Sequence, residues 1–295
     1  MVVVVAGSSG LIGTALVERL RAEGHTVRRL VRRAPRGADE VRWDPDAGVL
    51  PAEALAGADA VVNLAGAGVG DKRLTAARKR VVVESRTRST GLIASAIADM
   101  DRPPRVLLQG SATGAYGERG DDLVTEAEPY GETFLSGVVR AWESAAAPAV
   151  ARADVRVAFL RSGIVLAPRG GALGKLLPLI RLGVGGPLGT GRQYWSWISL
   201  EDEVRAILHL LDAPVSGPVN LVAQPARHGD IVRAIAAELH RPALVRVPGW
   251  ALTIAIGQFS EEILGSLRAT PTALAAAGFV HLHPTPEAAA AAMLR

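Results

Sequence analysis

Cysteine is absent from all 295 residues, which excludes a disulfide framework, a thiolate nucleophile and a zinc–thiolate site. Lysine is nearly absent too, occurring only at Lys72, Lys79 and Lys175, so the positive charge rests on arginine. The net charge is only +4, and no basic block exceeds short pairs such as Arg28-Arg29 and Arg32-Arg33. That argues against a nucleic-acid partner. No apolar run reaches transmembrane length. The opening stretch lacks the basic flank and cleavage site of a signal segment. The expectation is a cytoplasmic protein with no membrane partner. Tyrosine occurs only three times, at Tyr116, Tyr130 and Tyr194, which limits the available proton donors.

What is present is enough for a sizeable core: 49% of residues are hydrophobic and 21% charged. Strand-like runs alternate with helical periodicity. Val2–Ala6, His25–Val31, Glu40–Trp43, Asp59–Gly66, Arg105–Gln109 and Val155–Arg161 read as strands. Helices are expected after the first glycine turn, over Thr75–Ala98 and over Phe134–Arg152. This rhythm predicts an α/β fold with a doubly wound parallel sheet and right-handed crossovers. Beyond Leu166 the chain becomes rich in glycine and proline, and Pro218–Val222 reads as one more strand. The expected division is a dinucleotide-binding domain over 1–222, with 166–198 contributing to a second lobe, and a small, mainly helical lobe over 223–295. Ser199 reads as a helix N-cap with Asp202 facing back to it, and Glu201-Asp202-Glu203 as a charge cluster at the favourable dipole end.

The first chemical signal is Gly7-Ser8-Ser9-Gly10-Leu11-Ile12-Gly13, placed between an apolar β-branched run and a helix. Glycines there permit a tight turn, close approach of backbone to a pyrophosphate and close helix–strand packing. The helix N-terminus offers free N–H groups to the anion. Gly7, Ser9, Gly10, Leu11, Ile12 and Gly13 are therefore candidate cofactor contacts. The second strand ends at Arg32-Arg33, where an acidic residue would bind the ribose 2′-hydroxyl of NAD. A planar, permanently charged guanidinium suits a 2′-phosphate instead, so Arg32 favours NADP(H). The plainer reading is a solvated arginine in an arginine-rich chain.

The spacing Gly-x-x-Gly-x-x-Gly resembles extended short-chain dehydrogenases, in which a turn such as Leu64-Ala65-Gly66 lines the adenine and ribose. Gly110–Gly117 resembles the segment that supplies a substrate-binding hydroxyl, here Ser111. That family also uses a tyrosine acid/base whose pKa is lowered by a lysine four residues later. Four residues after the three tyrosines stand Gly120, Phe134 and Ile198. Matching Glu143 to the acid that commonly follows the dyad puts Leu135 and Val139 in the tyrosine and lysine places. A closer resemblance is to the YfcH-like, DUF1731-containing subgroup of epimerase-like short-chain dehydrogenases. Its carriers are Gly7–Gly13, Leu64–Gly66, Glu84-Ser85-Arg86, Ser111–Gly114, Tyr116-Gly117, Trp142-Glu143, Leu160–Leu166, Gly185–Gln193 and Trp195–Ile198, with Pro271 and Gly278-Phe279 in the C-terminal lobe. The resemblance implies a Rossmann fold, an NADP(H) site that includes Ser85 and Gly163, and a homodimer.

Arg192 and Trp197 are candidate substrate contacts, one for a phosphate or carboxylate and one for a ring, although tryptophans that pack the lobe fit equally well. Tyr116 is the candidate acid/base, with Ser111 polarising the reacting oxygen, or else a packing residue beneath the nicotinamide. His281 and His283 would share a strand face, but no third ligand accompanies them, so no metal is expected. Lys79-Arg80, Glu84, Arg86 and Arg88 read mostly as a solvated helix face, although the family resemblance implies that Ser85 or Arg86 looks inward toward the cofactor. Two functions compete: an NADP(H)-dependent oxidoreductase or epimerase on a small carbonyl or hydroxyl substrate, sugar-nucleotide-like in class, and a cofactor-binding sensor or scaffold without turnover.

Overall fold

The structure, a computed structural model, describes residues 1–171, 173–243 and 245–294. Its centre is a seven-stranded, all-parallel sheet. The strands are β1 (Val2–Ala6), β2 (Thr26–Val31), β3 (Glu40–Arg42), β4 (Ala60–Asn63), β5 (Val106–Ala112), β6 (Arg156–Ser162) and β7 (Gly217–Leu221). Their spatial order is 3-2-1-4-5-6-7. The order reverses beside β1, between β1 and β4, which is where open α/β sheets take ligands.

The pleat of β1 shows how the sheet is buried on both faces. Val3 and Val5 join one core with Leu16 and Leu20 of α1 (Leu11–Ala22), while Val4 and Ala6 join another with Ile93 and Ile97 of α2 (Ala76–Ala98). The predicted helix over Phe134–Arg152 divides into α3 (Phe134–Ser144) and a short α4 (Ala147–Val150). Pro148 lies in the first turn of the second piece, where its missing N–H costs nothing but where it would break a continuous helix.

After β6 the chain leaves the sheet through α5 (Leu173–Arg181) and returns by α6 (Leu200–Asp212), which packs on α1. A separate apolar core joins Leu173, Leu177, Trp195 and Trp197 to Ile231 and Ile235 of α7 (His228–Glu238) and to Ala289 of α11 (Pro286–Leu294). Between them come α8 (Gly249–Ile256), α9 (Phe259–Leu264) and α10 (Thr272–Ala276). Leu274 on α10 packs into the sheet core rather than the lobe. Asp202 secures this return crossing. Its carboxylate does not face back to Ser199, as the sequence suggested, but accepts from the backbone N–H groups of Leu282 and His283 at 2.8 Å. Ser199 does cap the helix, accepting from the Asp202 amide at 3.1 Å. Among the described residues no helix is long and apolar enough to cross a membrane.

Candidate functional site: a nucleotide cradle at the sheet's carboxyl edge

The glycine loop is built so that no side chain fits. Gly7 has φ of +77°, and a Cβ there would stand 2.6 Å from the Leu64 carbonyl carbon. A Cβ on Gly13 would stand 2.2 Å from the Gly7 oxygen. These contacts bring the loop after β1 against the loop after β4, so Gly7–Gly13 and Leu64–Gly66 form one surface. Gly10 is the N-cap of α1, and no side chain caps that end. The first-turn amides therefore point at an open anion position. A Gly7→Ala substitution is expected to cost about 1–3 kcal/mol of folding stability through the positive φ and the Leu64 contact, and calorimetric or chemical unfolding would measure it.

The turn after β4 is held from beneath. Asn63 is buried, its Oδ1 accepting from the Ala65 amide at 3.1 Å and its Nδ2 donating to Gln109 at 2.9 Å. Ser85 on α2 accepts from the Ala67 amide at 3.1 Å, and Arg86 donates to the Ala67 carbonyl at 2.8 Å. Ser85 thus supports the loop, and Arg86 lies inward against Gly66, the alternative that the resemblance implied.

At the end of β2 the arginines divide their duties. Arg33 makes a two-pronged pair with Glu40 at 2.7 and 2.6 Å, and Arg29 joins the same carboxylate. Hydrogen bonding from Arg33 and the Arg36 amide holds the Glu40 carboxyl down at about 2. Arg32 is exposed, and among the described residues its side chain has no hydrogen-bond or ion-pair partner.

The remaining candidate residues are placed as follows. Ser111 is buried, and its hydroxyl donates inward to Glu143 at 2.5 Å rather than into a cleft. Tyr116 is wholly buried, donating to Asn220 at 2.7 Å and accepting from Arg161 at 2.9 Å. Burial pushes its hydroxyl above the ordinary value, the opposite of what an acid/base near neutrality needs. Tyr130 donates to Glu143, and burial together with that carboxylate pushes it up to about 12. Trp197 is fully enclosed in the lobe core, in keeping with the packing alternative. Arg192 is exposed, and its amide donates to Thr190. Gly163 is required by protein backbone: a Cβ there would stand 2.4 Å from the Ser196 oxygen. No cluster of potential metal ligands occurs among the described residues.

The sequence missed the network that absorbs these hydroxyls. Arg161 donates from Nε and Nη2 to Glu143 at 2.9 and 3.0 Å, and both side chains are about 5% exposed. Glu143 was visible only as a marker of the vacant dyad. Glu203 was missed as well. It is fully buried, with Oε1 accepting from Ser162 at 2.5 Å and Oε2 without a partner. Its place in the stripe with Ile207 and Leu210 was the available signal.

Comparison with known proteins agrees with this arrangement. Residues 3–223 match the NAD dependent epimerase/dehydratase family. The chain belongs to that family. Residues 247–293 match a domain of unknown function, DUF1731. The epimerase family protein MT2273 of Mycobacterium tuberculosis is 42% identical over 287 residues, covering 96% of this chain and 94% of that protein. The crystal structure of human epimerase family protein SDR39U1 with NADPH superposes with a TM-score of 0.91 at 31% identity, over 99% of both chains. A nucleoside-diphosphate sugar epimerase from Corynebacterium glutamicum superposes with a TM-score of 0.80 at 34% identity, over all of this chain and 58% of that longer one. This epimerase-family chain therefore shares its whole architecture, lobe included, with a relative crystallised with NADPH.

Proposed function

We propose that this chain binds NADP(H) across the carboxyl edge of its sheet and acts as an oxidoreductase or epimerase on a small carbonyl or hydroxyl compound of sugar-nucleotide class. The observation that carries the reading is the joined surface of Gly7–Gly13 and Leu64–Gly66, with unpaired Arg32 beyond it, in a fold shared with an NADPH-bound relative. The nicotinamide, when bound, supplies hydride donation and acceptance at its C4 carbon. The chain's own part is to bind and orient: the α1 amides and glycine backbone take the diphosphate, and Arg32 takes the 2′-phosphate. The substrate lies between the sheet edge and the lobe.

A second reading is favoured by one specific observation. The hydroxyls of Ser111, Tyr116 and Tyr130 are all committed to internal bonds, and Leu135 and Val139 fill the dyad places. A cofactor-binding sensor or scaffold needs no proton shuttle.

Paired titrations with NADPH and NADH test the cofactor. Tight NADPH with weak NADH binding is expected, and Arg32→Asp should weaken NADPH by tenfold or more, roughly the 1.5–3 kcal/mol of a charged hydrogen bond, while leaving NADH unchanged. Equal NADPH affinity in the variant would remove Arg32 from the site. NADPH oxidation across a panel of sugar nucleotides then separates enzyme from sensor.

A further inference from the structure

Two arginines on α2 meet without an adequate counter-ion. Arg86 uses only Nη1 within the protein, donating to the carbonyls of Ala67 at 2.8 Å and Val82 at 3.1 Å. Its guanidinium lies 4.8 Å from the Trp142 ring centre and packs on Gly66, where a Cβ would stand 3.3 Å from its Cζ. Among the described residues its Nε and Nη2 have no hydrogen-bond partner, and neither is fully enclosed, which leaves that edge free to bond a ligand. Arg78 donates to the Gly68 carbonyl, and its Nε is enclosed without a partner. The carboxylate beside Arg78 is Asp71, 3.7 Å away and 70% exposed. Among the described residues no carboxylate pairs with Arg86. The other charges nearby are committed: Glu84 to Arg88, Arg73 to the Ile254 carbonyl, and Lys79 over the Phe134 ring.

Desolvation, with the neighbouring Arg78, pulls the Arg86 guanidinium down to about 10. Withdrawing cations from water without pairing them is unfavourable, and Arg161 shows the usual remedy in this molecule, a buried carboxylate. The remedy is missing at Arg86, beside the turn that touches the glycine loop through Leu64. The lobe roofs the same loop: a Cβ on Gly70 would stand 3.1 Å from the Phe259 ring, and Arg73 reaches α8.

We propose that Arg78 and Arg86 form an oxyanion subsite in which the open Nε–Nη2 edge of Arg86 takes a phosphate or carboxylate oxygen of the bound ligand. The subsite deepens the reading above and rests on it for the ligand's identity. Either the cofactor's diphosphate or an acidic group of the substrate carries that oxygen. Guanidinium is suited to both, since its fork matches two oxygens at once.

Calorimetric titration of the full chain, with Arg86→Met, Arg78→Met and Arg86→Lys variants, tests the subsite. Three probes are used: NADPH, adenosine 2′,5′-bisphosphate (which lacks the diphosphate bridge), and inorganic phosphate added to NADPH-saturated protein. If the cofactor supplies the oxygen, both Met variants weaken NADPH by about tenfold or more and leave the bisphosphate unchanged. If the substrate supplies it, NADPH affinity holds and inorganic phosphate binding disappears in both Met variants. Arg86→Lys should recover part of either loss, which a folding defect would not allow. Wild-type affinities for NADPH and phosphate in both Met variants would overturn the proposal. Should the wild type bind no NADPH, the cofactor reading fails, and phosphate titration of the ligand-free chain still decides the subsite: loss in the Met variants upholds it, and no difference rejects it.

Discussion

Replacing Glu143 with alanine is expected to lower folding stability by roughly 3–5 kcal/mol, the range seen when one partner of a buried ion pair is removed. Glu143 accepts from Ser111, Tyr130 and twice from Arg161, and neither member of the ion pair is more than about 5% exposed. Alanine would strand the Arg161 cation inside the sheet-and-helix layer, with only Tyr116 still bonded to it and the Tyr116 and Tyr130 rings about 5 Å away. Two hydroxyls would lose their acceptor as well. In a thermal melt the loss should read as a drop on the order of 10 °C. A double variant, Glu143→Ala with Arg161→Met, should recover part of that drop, because the stranded charge is gone. A drop no larger than that of an exposed substitution, or no recovery in the double variant, would show that the pair is not a structural keystone. The same network holds the Ser111 and Tyr116 hydroxyls in internal bonds.

Much of the fold was legible because its signals are local. The apolar β-branched run of Val2–Val5 ending in Gly7 specifies a buried parallel strand and a tight turn, and Thr75 and Ser199 mark helix starts that the structure confirms with side-chain caps. The cofactor cradle was legible for the same reason, since the glycine spacing encodes close approach directly. The chemistry of Ser111 was not. Whether a strand-end hydroxyl points inward or outward depends on its register against α3, and the Glu143 carboxylate that claims it lies 32 residues away. Trp197 failed similarly: its burial is decided by α7 and α11, which close over it from far along the chain. Glu203 sat inside a charge-rich run, where composition suggests solvent. Only helical phase, 3.6 residues per turn, separates an inward-facing member from its exposed neighbours.

Glu203 leads to the second large effect, a stability that falls as the solution becomes more alkaline. Burial pushes its carboxyl from the ordinary 4.5 up to about 8, and the Ser162 hydroxyl offsets only part of that shift. In the folded chain at neutral pH the group therefore keeps a proton that the unfolded chain has released. Folding takes up that proton, so the contribution of Glu203 is fully present below pH 4.5 and is lost as the pH rises through about 8. A shift of this size corresponds to at most roughly 5 kcal/mol between the two limits. Above pH 8 the folded protein would have to hold a carboxylate with one oxygen unpartnered and no cation beside it. Glu203→Gln removes the titration while its amide oxygen can still accept from Ser162. The variant should match the wild type in unfolding experiments near pH 5 and exceed it progressively toward pH 8, with its advantage level thereafter. Parallel curves for the two proteins over that range would mean that Glu203 is ionised in the fold and that some group other than Ser162 compensates it. The expected divergence instead makes residue 203 a neutral hydrogen-bonding acid packed beneath the carboxyl end of β6. The end of β6 would then meet the lobe at Ser162 and Gly163 without a fixed negative charge.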